Sequence, residues 1–157
     1  MLSVALLYIS FIHLVFLVTS GFIINEDRTM NNPMKQHGAF SWNELMTTDI
    51  DGAKSFYSEM FNWQLEDFDN EMPYTLAKIN GQDSAGMMSM PPEAAGMPPM
   101  WGAYVTVDDI EASAKQAVAL GGKLLLEARD IPDVGRFCVI SDPQGAALTI
   151  ITYFDKS

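Results

Sequence analysis

The sequence predicts an α+β fold in which two tandem βαβββ units form a cup-like, partly closed mixed sheet, preceded by a hydrophobic N-terminal helix. Two strand-like segments, about sixty residues apart, each end at an aspartate and run into a helical pattern. Three short β-like runs follow each helix, punctuated by turn residues. A proline-rich stretch separates the two halves.

Unit one spans residues 37–90. Its first strand contains Trp42-Asn43-Glu44-Leu45-Met46-Thr47-Thr48-Asp49, and Asp49 is suited to accept the free N–H groups of a helix start. The helix over about 50–60 carries Ala53, Phe56, Tyr57 and Met60 as one apolar stripe, and Asn62 can end it in the left-handed conformation. Strands follow at about 63–69, 73–80 and 84–90, with turns at Asp69-Asn70 and Asn80-Gly81. The linker, residues 91–99, has four prolines, which exclude a helix or a central strand.

Unit two spans residues 100–155, and its first strand runs from Gly102 to the Asp108-Asp109 pair. The helix over about 110–120 places Ile110, Ala114, Ala117 and Val118 on one face; Asp108 with Glu111 forms a capping box, and Gly121-Gly122 stops it. Strands at about 123–128, 135–141 and 146–153 complete the unit, the last two joined by the turn Asp142-Pro143-Gln144-Gly145.

Composition bounds the function. With 48% hydrophobic and 18% charged residues the chain reads as globular. The net charge is −11, of which residues 1–29 supply −1, so the body repels nucleic acid and weakly favours a cationic ligand. Cys138 is the sole cysteine, which leaves no intrachain disulfide or thiolate cluster; between Phe137 and Val139 it reads as a small buried strand residue.

Leu2 to Ile24 is an uncharged apolar run long enough to span a bilayer. Three accounts of residues 1–29 stand side by side: a membrane anchor, a secretory signal cleaved near Val18-Thr19-Ser20, and upstream sequence before a start at Met30 or Met34. The protein is cytoplasmic on the last account and membrane-anchored or secreted on the others. Residues 30–36 read as a linker.

The βαβββ repeat, the Asp-x-x-x-Ala-x-x-Phe-Tyr pattern (Asp49, Ala53, Phe56, Tyr57), Leu120-Gly121-Gly122 and the Asp-Pro-x-Gly turn together resemble the glyoxalase/bleomycin-resistance/dioxygenase (vicinal oxygen chelate) superfamily, over about 119 residues. The resemblance implies a ligand cup enclosed by paired units, either within one chain or swapped between the two chains of a homodimer. It also implies a divalent metal held by His, Gln or Glu on the first and last strands of each unit. Those positions fall here on Trp42, Gly102, Thr149 and either Met87 or Met88, none of which is such a ligand. His13 lies in the apolar run, and His37 lies five residues before the expected position. No metal and no cofactor are therefore expected.

Strand alternation puts Trp42, Glu44 and Met46 toward the cup, with Met88, Gly102, Tyr104, Thr106, Thr149 and Ile151 completing it and Trp101 at the rim. This wall is apolar, aromatic and methionine-rich, as small-molecule sites usually are. Glu44 stands out as a carboxylate facing an apolar cavity, suited to hold a cationic or amide group or to act as a general base. The leading expectation is a metal-free protein that sequesters or carries a small hydrophobic or cationic molecule. The alternatives are a glyoxalase-like lyase or isomerase, using Glu44 as base or an irregular metal site, and a membrane-tethered accessory protein that retains residues 2–24.

Overall fold

In the computed structural model, which describes residues 32–68 and 73–155, the chain runs β1 (Phe40–Thr47), α1 (Ile50–Phe61), β2 (Gln64–Phe68), β3 (Tyr74–Ile79) and β4 (Gln82–Ser89). It continues with β5 (Met100–Thr106), α2 (Ile110–Ala119), β6 (Lys123–Ile131), β7 (Gly135–Ser141) and β8 (Ala147–Tyr153). Short 3-10 turns lie at Pro33–Lys35 and Pro92–Ala94. The expected N-terminal helix and the Asp69-Asn70 turn lie outside the described residues. Among the described residues no helix is long and apolar enough to cross a membrane.

Local chemistry sets the element ends. Asp49 Oδ1 accepts from the Gly52 N–H at 2.9 Å, and Asn62 ends α1 with φ 54°. Helix α2 is capped by Asp109, which accepts from Ala112 N at 2.9 Å, and not by the expected Asp108–Glu111 box. A cap must reach the N–H three residues ahead, and α2 begins at Ile110. The Asp108 N–H instead donates to His37 Nδ1 at 3.2 Å, and Glu111 accepts from Arg136 Nε at 2.8 Å. Asn80 and Gly81, with φ 52° and 77°, form the two-residue hairpin that joins β3 to β4.

Eight strands form one mixed sheet in the order β2-β3-β4-β1-β5-β8-β7-β6. Strands β1 and β4 pair parallel, as do β5 and β8; the antiparallel β1–β5 pair joins the two units. The sheet does not close, and β2 and β6 are its edges, so the expected partly closed cup is an open sheet.

Both helices pack on one face. Leu45, Ala77, Ala85 and Met87 form the unit-one core against Ile50, Ala53 and Tyr57 of α1. Val107, Ile110, Ala114, Cys138 and Ile150 form the core of unit two. Cys138 is fully buried there, and burial pushes its thiol up to about 11. A helix lying on a sheet buries a narrow strip, so three stripe residues expected inside are outside: Phe56, Met60 and Val118 are 59%, 64% and 51% exposed. Met87 belongs to this helix side. So does Trp101, which is not at the rim of a cup: it lies within β5 opposite Leu45 and donates its indole N–H to the Tyr57 hydroxyl at 2.9 Å.

The other face carries no helix among the described residues. The Pro33–Lys35 turn touches it at one end, where Thr106 Oγ1 donates to Pro33 O at 2.8 Å. Even so, Ile151 is only 1% exposed and Tyr104 only 8%. Ile151 pairs with Thr106 beside that turn, and Tyr104 lies on β5 between β1 and β8. A large sheet twists, which makes its helix-free face a trough.

Candidate functional site

Glu44 lies at the centre of β1, on the trough side. Its register partners are Gly86 on β4 and Gly102 on β5, so a glycine flanks it on each side. The two glycine spaces are used differently. A Cβ built on Gly86 would lie 1.6 Å from the Tyr74 hydroxyl oxygen, because the Tyr74 ring lies across β4 at that point. Among the described residues a Cβ built on Gly102 would meet only the Glu44 carbonyl oxygen, at 3.8 Å, which leaves a notch beside Glu44.

Tyr74 donates to Glu44 Oε2 at 3.0 Å and Tyr104 to Oε1 at 2.8 Å. Trp42 Nε1 donates in turn to the Tyr74 hydroxyl at 2.9 Å. Beside this chain a bulge at Ser41 lets its hydroxyl meet that of Tyr153 at 3.0 Å. Glu44 is half-buried, and burial raises its pKa while the Tyr104 and Tyr74 hydrogen bonds partly offset the rise. Burial, reinforced by the charge of Glu44, holds the Tyr74 and Tyr104 phenols well above their ordinary value. They stay protonated, as donors to a carboxylate must.

The structure brings several of the expected residues together. Trp42 pairs with Tyr104, Tyr104 with Thr149, and Met46 with Met88, all on the trough face beside Glu44 and Gly102. The open choice between Met87 and Met88 thus falls to Met88. Thr106 shares the face, but its hydroxyl is engaged by Pro33. Sequence reasoning missed Tyr74, Gly86, Ser41 and Tyr153.

The donor set does not suit a divalent metal. Trp42, Met88, Gly102 and Thr149, the positions where the resemblance implies ligands, offer no imidazole or carboxylate, and Glu44 is a single carboxylate already held by two phenols. Among the described residues no three His, Cys, Asp or Glu side chains converge. A shallow groove of about 340 Å³ lies on the opposite face between α2 and β6, lined by Glu111, Lys115, Val118, Leu124 and Glu127 among others, and shares no residue with the Glu44 chain.

Residues 39–150 match the family model of the Glyoxalase/Bleomycin resistance protein/Dioxygenase superfamily, and the chain belongs to that family. It is 41% identical over 119 residues to a Mycobacterium tuberculosis protein named "Putative glyoxylase CFP32", covering 72% of this chain and 45% of the relative. It is 26% identical over 127 residues to the anthracycline biosynthesis protein DnrV of Streptomyces peucetius, covering 72% and 46%. The chain therefore spans about half the length of the curated relatives it matches. Among solved structures it resembles the methylmalonyl-CoA epimerase of Mycobacterium tuberculosis, with a TM-score of 0.54 at 18% identity over 73% of this chain and 86% of that one. At that identity the likeness is one of fold.

The raised Glu44 pKa has a measurable consequence for stability. The folded carboxyl holds its proton more tightly than the unfolded one, so its contribution is greatest below the ordinary carboxyl range and is lost as pH rises through the folded midpoint. Urea denaturation of wild type and Glu44→Gln across that range should show the variant gaining on wild type as pH rises. A constant difference would contradict the raised pKa.

Proposed function

We propose that the trough binds a small organic molecule, seated in the notch over Gly102 against Glu44, and that the protein sequesters or carries it. The observation behind this reading is the unequal glycine pair: Tyr74 fills one space beside the carboxylate, and no described side chain fills the other. Among the described residues no cationic side chain enters the electrostatics of Glu44, so the carboxylate has capacity for a further partner. Trp42, Tyr104, Met46 and Met88 supply the apolar and aromatic surroundings.

A second reading gives Glu44 a chemical role. A carboxylate with a raised pKa, pre-set between two phenols, suits proton abstraction from a bound carbon acid, with Glu44 as general base. The name of the relative at 41% identity supports this reading. A thermal-shift screen of small molecules against wild type and Glu44→Gln tests the binding role, since a ligand of the folded state raises its melting temperature. Compounds that stabilise wild type should lose most of that shift in Glu44→Gln. Equal shifts would place their site elsewhere. If a compound is also turned over, loss of kcat with binding retained in the variant would favour the second reading.

A further inference from the structure

An indole N–H can only donate, and a phenol has one proton to give. Trp42 donates to the Tyr74 oxygen, so the single Tyr74 proton is directed to Glu44 Oε2, while Tyr104 sends its own to Oε1. Both phenol protons thus point at the carboxylate, and the indole proton at the Tyr74 oxygen. A carboxylate accepts about four hydrogen bonds, so Glu44 can take more, whereas none of these three donors is left for a ligand. The Ser41–Tyr153 pair at the margin adds one hydroxyl proton not used between them.

The other charged groups of the described residues registered on this face stand apart from the chain. Glu66 and Asp83 are paired with Lys78 toward the β2 edge, and Lys123 and Arg129 lie on β6, opposite Ser141 and Phe137 of β7 and four strands from β1. Among the described residues the titratable groups that bear on Glu44 and its two phenols are these tyrosines themselves and Tyr153.

On the footing of the proposed binding face, we infer that Trp42 is a positioning residue that fixes the polarity of the chain, so that the trough selects an organic cation (a protonated amine or amidine on an apolar body) over carboxylates and carbonyl compounds. An N–H⁺ donor completes the acceptor capacity of Glu44, and the neighbouring Trp42, Tyr74 and Tyr104 rings favour a cation further. A carbonyl or carboxylate finds acceptors facing acceptors. The body charge of the chain works in the same direction.

Three probes of one shape test the ligand class: 2-naphthylmethylammonium, 2-naphthylmethanol and 2-naphthoate, titrated while the Trp42 indole and Gly102 amide signals are followed by NMR. The ammonium should move both signals and bind at least about tenfold more tightly than the alcohol, with naphthoate weakest. If the alcohol or naphthoate matches the ammonium at these signals, the inference falls and the binding face stands. If none of the three moves them, the binding face falls and the inference with it.

Trp42 is tested through the Glu44 carboxyl titration, followed by carbon-13 NMR. In Trp42→Phe the Tyr74 hydroxyl can turn and accept from a protonated Glu44, so the Glu44 midpoint should rise and the preference for ammonium over alcohol should shrink. Tyr74→Phe removes the same donated proton from the other end and should move the midpoint in the same direction. A purely structural Trp42 would lower stability and leave the midpoint where it was. An unmoved midpoint in the folded variants overturns the assignment.

Discussion

Gly86→Ala should detach Tyr74 from Glu44 and lower stability by about 1–3 kcal/mol, the usual cost of leaving buried polar groups without partners. The added methyl would occupy the position of the phenol: an ideal Cβ lies 1.6 Å from the Tyr74 oxygen and 2.2 Å from Cζ. The β4 backbone is fixed between β3 and β1, so the Tyr74 side chain has to move. Its departure strips one donor from Glu44 and leaves the Trp42 indole without its acceptor. Urea denaturation measures the loss, and the Trp42 indole proton signal should shift toward its solvent-exposed position. An unchanged indole signal would mean that the ring does not lie over Gly86 in solution.

Gly102→Val should do the opposite, with stability within about 0.5 kcal/mol of wild type and binding lost. Position 102 lies in an extended strand, where valine is well suited, and among the described residues the only atom near its Cβ is the Glu44 carbonyl oxygen at 3.8 Å. The branched side chain would fill the notch. A ligand seated there should lose at least about tenfold in affinity, measured with 2-naphthylmethylammonium by the same titration. Undiminished binding in a folded Gly102→Val protein would move the ligand away from Glu44. Two glycines that look alike in the sequence thus have opposite expected consequences, one for the fold of a network and one for the space beside it.

Much of the fold was legible because its signals are local. Asp49 as cap, Asn62 as stop, Asn80-Gly81 as hairpin and Asp142 to Gly145 as turn depend on a few neighbouring residues and the backbone angles they permit. The trough side of β1 followed from alternation, and Trp42, Glu44 and Met46 share the face expected of them. Tyr74 was not legible. A regular ladder running back from the Ile79–Gln82 pair at the hairpin would set Tyr74 opposite Met87, on the helix side. A bulge at Ser84 shifts the register by one, sets Tyr74 opposite Met88 and brings its phenol to Glu44. The same one-residue ambiguity left Met87 and Met88 undivided. Trp101 was misplaced because β5 begins at Met100 rather than at Gly102, with Trp101 already inside the ladder. The α2 cap was missed because two adjacent aspartates offer the same chemistry, and only the end of β5 decides between them.

The β1–β5 pair, among the described residues the sole strand pairing between the units, also divides the ownership of the carboxylate. Glu44 and Tyr74 come from unit one, 30 residues apart, while Tyr104 comes from unit two, 60 residues from Glu44. Unit one by itself would hold an acid with a single phenol, and unit two a phenol with no acid to meet. The acidic centre is therefore a property of the seam. A half-molecule could keep its own helix and core and still have lost the chemistry, whereas any association that re-forms the β1–β5 seam restores the site whole.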